Sequence, residues 1–542
     1  MSAPLQAPAS GLRGTDPLVL AAVAGLGLLT LVLVIAGNGN VGLALAPVAL
    51  TLLVLLVARA PLRHSLLVIG ELCLTLENPT EIPAAGLWRS PLYTVGALLL
   101  AHMNLTIPVP ALFFSGLDLA LVLFTVIWLV RRTTASDLDM RGHVPAAPPL
   151  RTAALLCIAS IFFVWGHGLL RDGADFRSSL WQVFRVIYLP CVFLLYCAGI
   201  RGPADSRKFG IALVVAALIR ALLAAYLRHL YPSELLMPHA TVHADSMLFA
   251  DAFLLLLVVF FERPSPRNLV VLLGTLPILT WGMIANSRRL VWVELIAGLI
   301  VLYFITPFTR LKKRIAQSIV LSLPLLAIYV VVGWNSRAPA FAPVRTIRSV
   351  MDSDYDRSTL WRDWENYNLF YTVRTHPLMG TGFGHGYTEV VKLPNISGVY
   401  ELYRFAPHNS ILGLLAYMGL IGFAGMWLFI PLGVFFAVRS YRFSTTPRDR
   451  STALATVGIL VAYLVHCYGD MGLGTWASVF TVAPALALVA KQAVATGAWP
   501  LRTGPSPSLP AAEHPLSTQV DVRTEPPVRI LTARTRAPDV QP

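Results

Sequence analysis

Apolar stretches of about 17 to 25 residues recur along nearly the whole chain. Each is long enough to cross roughly 30 Å of hydrocarbon as a helix that satisfies its own backbone hydrogen bonds. Candidate spans are residues 17–36, 41–58, 112–130, 152–168, 179–200, 209–226, 246–261, 269–284, 290–306, 317–333, 410–437, 453–468 and 474–492. A shorter run covers 65–77, and 91–103 is crowded by the polar, Pro-containing flanks "LENPTEIP" and "NLTIPVP", which suits a re-entrant segment. The first run has no small-residue cleavage pattern behind a short apolar core, so it reads as an anchor rather than a removable signal. Composition agrees: 56% of residues are hydrophobic and 13% charged, against about 25% charged in soluble domains. The expected fold is all-α, a polytopic membrane protein of about 12–14 transmembrane helices with one long external loop that contains an amphipathic helix.

Positive charge beside span ends resists translocation, so Lys and Arg mark the cytoplasmic linkers. Arg131, Arg132, Arg141 and Arg151 share one linker, and Arg201, Arg207 and Lys208 another. Arg263 and Arg267, then Arg310, Lys312, Lys313 and Arg314, then Arg439, Arg442, Arg448 and Arg450 mark three more. These alternate consistently with the spans, which puts both termini in the cytoplasm and linkers 169–178, 227–245, 285–289, 334–408 and 469–473 outside. The expected organisation is N-terminal transmembrane helices over 1–150, a membrane domain over 151–497 that includes the external loop 334–408, and a tail over 498–542. The tail mixes Pro, Ser, Thr, Ala and charge without periodicity and reads as disordered. The net charge of +14 points to anionic lipid on one side and an anionic substrate on the other, not to nucleic acid. Cys73, Cys157, Cys191, Cys197 and Cys467 all lie in apolar runs without metal-ligand spacing, as small core residues do.

Against this background certain polar residues stand out. "IANSRRLVWVE" places Arg288 and Arg289 in an external turn between two apolar runs, where topology gives arginine no reason to be. A guanidinium fork matches phosphate oxygens bidentately, so a diphosphate at the interface is a natural partner for either. Arg177, Trp181 and Arg185 stand at i, i+4 and i+8, on one helical face entering the membrane from outside, with Arg185 about two turns deep. Arg220 is a further intramembrane charge. In the long loop, Leu360, Trp364, Tyr367 and Tyr371 recur at helical spacing, predicting an amphipathic helix over about 355–374 near the membrane surface, decorated by Arg357, Arg362 and Arg374.

"HPLMGTGFGHG" breaks that helix and supplies Gly380, Gly382, Gly384 and Gly386 for a tight backbone path. No strand precedes it, so it is a turn rather than a dinucleotide fingerprint. "PHNS" then sets His408 at the outer mouth of a long apolar helix, where histidine can take a proton from a hydroxyl near neutral pH or serve as a plain interfacial side chain. His239, His243 and Asp245 in "HATVHADS" are a loose metal-ligand pattern, and Asp352, Asp354 and Asp356 read better as a solvated acidic turn than as a cation loop. There is no HExxH, Walker A or nucleophile-elbow motif.

In combination, "NSRRLVWVELIAG", then "RSTLWRDWENYNLFYTVRTHPLMGTGFGHGY", then "PHNSILGLLAYMGLIG" resemble the O-antigen ligase and polymerase family of bacterial envelope glycan assembly, over roughly residues 150–490. The resemblance implies an inner-membrane glycosyltransferase that faces the periplasm. It would take its glycan from undecaprenyl diphosphate and pass it to a lipid core or a growing polysaccharide. Neither metal nor other cofactor is implied, and displacement would invert the anomeric carbon. By position, Arg288 or Arg289 would bind the donor diphosphate with Arg185 as a second ligand, Arg357, Arg374 and Arg177 would be available to substrate, and His408 would be the general base. The competing expectation is a lipid-glycan transporter with no chemistry of its own, whose arginines should line the membrane at mid-depth with repeat symmetry; here they gather toward one face.

Overall fold

The computed structural model describes residues 17–36, 41–77, 90–103, 114–134, 138–139, 142–232, 239–336, 338–351, 357–397 and 402–500. Its elements are helices, with one isolated β-bridge between His102 and Ser115 among the described residues. Nine helices among the described residues are long and apolar enough to cross a membrane, and Leu290–Ile305 is apolar but shorter. The protein is therefore an all-α polytopic membrane protein. The acidic triplet Asp352, Asp354 and Asp356 and nearly all of the tail lie outside the described residues.

Burial sorts the helices. In Trp476–Ala495 94% of the span window is buried, whereas in Lys312–Gly333 none is, so the first is the axis of the bundle and the second lies at its rim. Around the axis, Ala244–Glu262, Leu290–Ile305 and Pro447–Gly469 pack on one another. Helix starts follow local chemistry: Thr446 accepts from Asp449 N at 3.1 Å just ahead of Pro447, and Ser265 accepts from Asn268 N at 3.2 Å just ahead of Pro266. A side-chain oxygen satisfies an orphan N–H in each case, and proline at the first helical position loses no bond.

The linkers between spans segregate to opposite ends. At one end Asp175 N donates to Gly384 O at 2.9 Å, Arg228 Nε to Ala285 O at 3.0 Å, Arg289 Nη1 to Ser349 O at 3.1 Å and Ser410 Oγ to Asp470 O at 3.2 Å. These contacts knit together the five linkers expected outside. At the other end Val144 N reaches Arg201 O at 3.0 Å, Arg448 Nη2 reaches Ala204 O at 2.8 Å, and Arg450 Nε pairs with Glu262 Oε2 at 2.8 Å. Those groups belong to, or border, four of the linkers rich in Lys and Arg.

The expected span 410–437 is broken. Ser410–Trp427 contains Gly419 at φ +60°, and a second helix runs from Phe429 to Phe443. The break is filled by the glycine-rich turn: Thr381 N donates to Ala416 O at 3.0 Å, Gly382 N to Tyr417 O at 2.8 Å, and Leu420 N to Pro377 O at 2.8 Å. Backbone groups freed by the kink thus find partners in the loop, as irregular backbone at membrane depth requires. Two of the glycines are needed for proximity as well as conformation. A Cβ on Gly380, at φ +67°, would lie 2.3 Å from Tyr417 O, and one on Gly382, at φ +81°, 2.4 Å from Gly168 Cα.

The loop helix runs from Arg357 to Thr375, close to expectation, but with a different buried face. Tyr367 and Tyr371 point outward, 55% and 38% exposed, while Glu365, Asn368, Leu369 and Thr372 are buried. The buried stripe is mostly polar because it organises loop backbone rather than filling a core. Asn368 Oδ1 accepts from Val390 N and Val391 N at 2.9 and 2.8 Å, and Thr372 Oγ1 accepts from Thr388 N at 2.9 Å.

Candidate active site

His408 occupies the short connection before Asn409, whose side chain accepts from Leu412 N at 3.0 Å and caps the helix that follows. Its ring is held from the loop helix. Nδ1 lies 3.1 and 3.3 Å from the two Glu365 oxygens, and the His408 backbone N–H donates to Glu365 Oε2 at 3.0 Å. Glu365 is 1% exposed, whereas the His408 side chain is 23% exposed. A carboxylate on Nδ1 places an Nδ1–H toward Glu365, which in the neutral imidazole leaves Nε2 as the acceptor. Nothing in the sequence singled out Glu365. Its only mark is the shared helical stripe with Asn368, Leu369 and Thr372, which reads as a hydrated face until the loop is folded.

The two arginines of the external turn go to different partners. Arg288 Nη1 lies 3.0 Å from His243 Nδ1 and Nη2 reaches Thr241 O at 3.4 Å, while Arg289 reaches Ser349 through its backbone oxygen and its hydroxyl. Ser287 stands between Asn286 and this pair with φ +54°, a left-handed conformation that ends the preceding helix and turns the chain. His243 contacts Asp470 through Nδ1. Burial alone would push the Asp470 carboxyl up, but His243, His466 and Arg362 hold it well below the usual carboxylate range. Burial lowers the His243 imidazole, Asp470 opposes that, and Arg288 and His466 add to the lowering. His239, its ring 6.1 Å from that of His243, is driven down to about 3 by burial with help from Arg288 and His243. Behind Asp470, His466 Nδ1 pairs with Glu294 Oε1 at 2.7 Å, both side chains fully buried.

A cleft open to solvent is lined by Gln182, Arg185, Phe383, Pro407, Ser410, Met471 and Gly474 among others, Pro407 and Met471 being the neighbours in sequence of His408 and Asp470. Arg185 lies in Phe176–Gly199 at about 13 Å from its start, against Met471 Sδ at 3.4 Å. Pro407 and Ser410 flank the His408–Asn409 pair, and Ser410 Oγ donates to Asp470 O, so cleft, histidine and Asp470 share one neighbourhood. Gln182 ties the cleft to the loop: its Oε1 accepts from Gly384 N at 2.6 Å and its Nε2 donates to Phe405 O at 3.1 Å.

Of the other expected residues, Arg177 and Arg374 are not among those that line this cleft. Arg177 is exposed in the first turn of its helix, its N–H donating to Asp175, and Trp181 stacks on His102 at 5.0 Å instead of completing an arginine face. Arg374 is exposed at the end of the loop helix, and Arg357 begins that helix. Arg220 is a buried structural cation, with Nη2 2.6 Å from Asp245 Oδ2 and Nη1 3.5 Å from Glu77 Oε1. That pairing commits Asp245 to Arg220 rather than to the histidines, and among the described residues no group of three His, Cys, Asp or Glu converges on a metal-sized point.

Comparison with known proteins bears on this arrangement. Residues 274–427 match the family model described as O-antigen ligase, and no curated protein matches the chain. The matched stretch begins before the Arg288–Arg289 turn and ends after His408, so it contains the loop helix, Glu365 and the glycine-rich turn. Over that segment the chain is similar to the O-antigen ligase family.

Proposed function

We propose that this protein moves a glycan from undecaprenyl diphosphate to a hydroxyl of a lipid core or growing polysaccharide, with the knitted loop end of the bundle facing the periplasm and both termini cytoplasmic. The observation that carries the reading is the buried Glu365 carboxylate on His408 Nδ1. It makes Nε2 the base that accepts the acceptor hydroxyl's proton. As that proton leaves, the acceptor oxygen attacks the anomeric carbon and the bond to the diphosphate oxygen breaks with inversion. Charge develops on the departing lipid diphosphate, and a preorganised guanidinium stabilises it where it forms. Arg288 is the better candidate of the turn pair, because it lies against His243, whose ring in turn contacts Asp470, whereas Arg289 fastens the loop at Ser349. Arg185, in the cleft wall, would be the second phosphate ligand.

The test is transfer by purified protein in lipid nanodiscs, given an undecaprenyl-diphosphate-linked glycan and a core-lipid acceptor. His408→Ala is expected to lower turnover at least about a hundredfold with donor binding retained, and Arg288→Ala to lose donor binding. Full activity of His408→Ala would remove the base. Deleting the gene separates the two acceptor types: accumulated lipid-linked polymer means ligation was lost, and single repeat units mean polymerisation was lost.

A further inference from the structure

We infer that His243, backed by Asp470, is a proton-carrying ligand of the donor diphosphate, so that donor binding takes up a proton at this residue. The inference rests on the reading of Arg288 as a diphosphate ligand and extends it. The "HATVHADS" pattern is weak as a metal motif, and its two histidines prove to have separate surroundings. The His243 side chain sits between Arg288 and the buried carboxylate of Asp470. One oriented ring therefore touches both a proposed phosphate-binding guanidinium and a fixed anion.

Counting charge around the ring explains why proton and diphosphate should bind together. The groups facing His243 are Asp470, Arg288, His466 and His239, with Arg362 acting on Asp470 from the loop helix. The ring itself touches one carboxylate, Asp470, and one guanidinium, Arg288, so without a bound anion the added charge of an imidazolium is opposed by Arg288. A lipid diphosphate brings at least two negative charges to Arg288, which turns the local balance and favours the imidazolium. The proton comes from solvent, and Asp470 keeps the ring oriented while it is held. A charge-assisted N–H···O–P bond then adds a ligand that is present only when the anion is present. His239 does not share this behaviour, because burial and its cationic neighbours keep it neutral throughout the relevant range.

The coupling has a sign: affinity for the diphosphate is highest on the acid side and falls as pH rises through neutrality. Binding of undecaprenyl diphosphate to detergent-purified full-length protein, measured by calorimetry between about pH 5.5 and about pH 8, should weaken roughly tenfold over that range. Inorganic pyrophosphate in competition shows whether the head group alone carries the effect. His243→Gln should weaken acid-side binding about tenfold and flatten the profile. His243→Arg should flatten it at the high-affinity level, a gain at alkaline pH that a misfolded variant cannot give. An unchanged wild-type-like profile in both variants would overturn the inference while leaving Arg288 in place if Arg288→Ala still abolishes binding. If Arg288→Ala also binds normally, the diphosphate reading falls with it.

Discussion

The two ends of the bundle treat their carboxylates differently. At the end that gathers the Lys- and Arg-rich linkers, Asp139 pairs with Arg131 at 2.7 Å and Glu262 with Arg450 at 2.8 Å. The other end also has arginine pairs, Arg220 with Asp245 at 2.6 Å and Arg404 with Glu389 at 2.7 Å, but there Glu365 is taken by His408, Asp470 by His243 and Glu294 by His466. An arginine partner stays charged at any relevant pH and makes a permanent staple; a histidine partner can gain or lose a proton near neutrality. The same folding problem, a carboxylate beside a membrane-spanning helix, is thus solved by arginine at both ends, and at the loop end also in a form open to proton transfer.

Substitutions at the two ends should separate these roles. The largest effect is expected at the histidine end. Glu365→Gln keeps the shape but offers an amide in place of a carboxylate, and turnover should fall by about 10 to 100-fold with the donor KM little changed. A drop in KM affinity of the same size would make Glu365 a binding residue instead. Next, Gly382→Ala introduces a Cβ 2.4 Å from Gly168 Cα at a positive φ. Melting temperature and activity should fall together, since the turn that fills the break at Gly419 can no longer close; a stable, inactive variant would contradict that packing.

Asp470 gives a pH test of stability. Its carboxyl is held below the usual range, so its contribution is present above the ordinary carboxylate pKa of about 3.9 and is lost as pH falls through the lower folded value. Thermal melts of Asp470→Asn should show a loss at neutral pH that shrinks on acidification, and parallel curves would refute the charge role. The smallest effect belongs to the arginine end: Arg450→Gln should cost about 1 kcal/mol or less and leave transfer untouched. Lost transfer in a folded Arg450→Gln protein would break the division between the ends.

Much of the fold was legible in single-residue properties. Span positions, the alternation of linkers and the loop helix follow from apolar length, Lys and Arg placement and helical spacing, all local to the chain. His408 and Arg185 stood out because a polar group at the mouth or inside of an apolar helix is costly and therefore conspicuous. Glu365 and Asp470 escaped because a carboxylate in a polar loop costs nothing until the loop is packed. The orientation of the loop helix was misread for the same reason: Tyr367 and Tyr371 are the greasier residues, but the buried places go to Glu365, Asn368 and Thr372, whose hydrogen bonds the surrounding backbone needs.

The sequence by itself determined that the chain is a helical membrane protein with its unusual arginines on one side, because hydrocarbon thickness and the cost of unpaired polar groups act on each segment independently. Only the tertiary structure decided that Arg288 and Arg289, adjacent in the chain, serve different ends. They lie in the turn ahead of Leu290–Ile305, Arg289 as its N-cap, and there the two side chains take different directions. One therefore meets His243 and the other Ser349. Which of two neighbours faces a site depends on what the rest of the chain has brought alongside, and no local rule contains that.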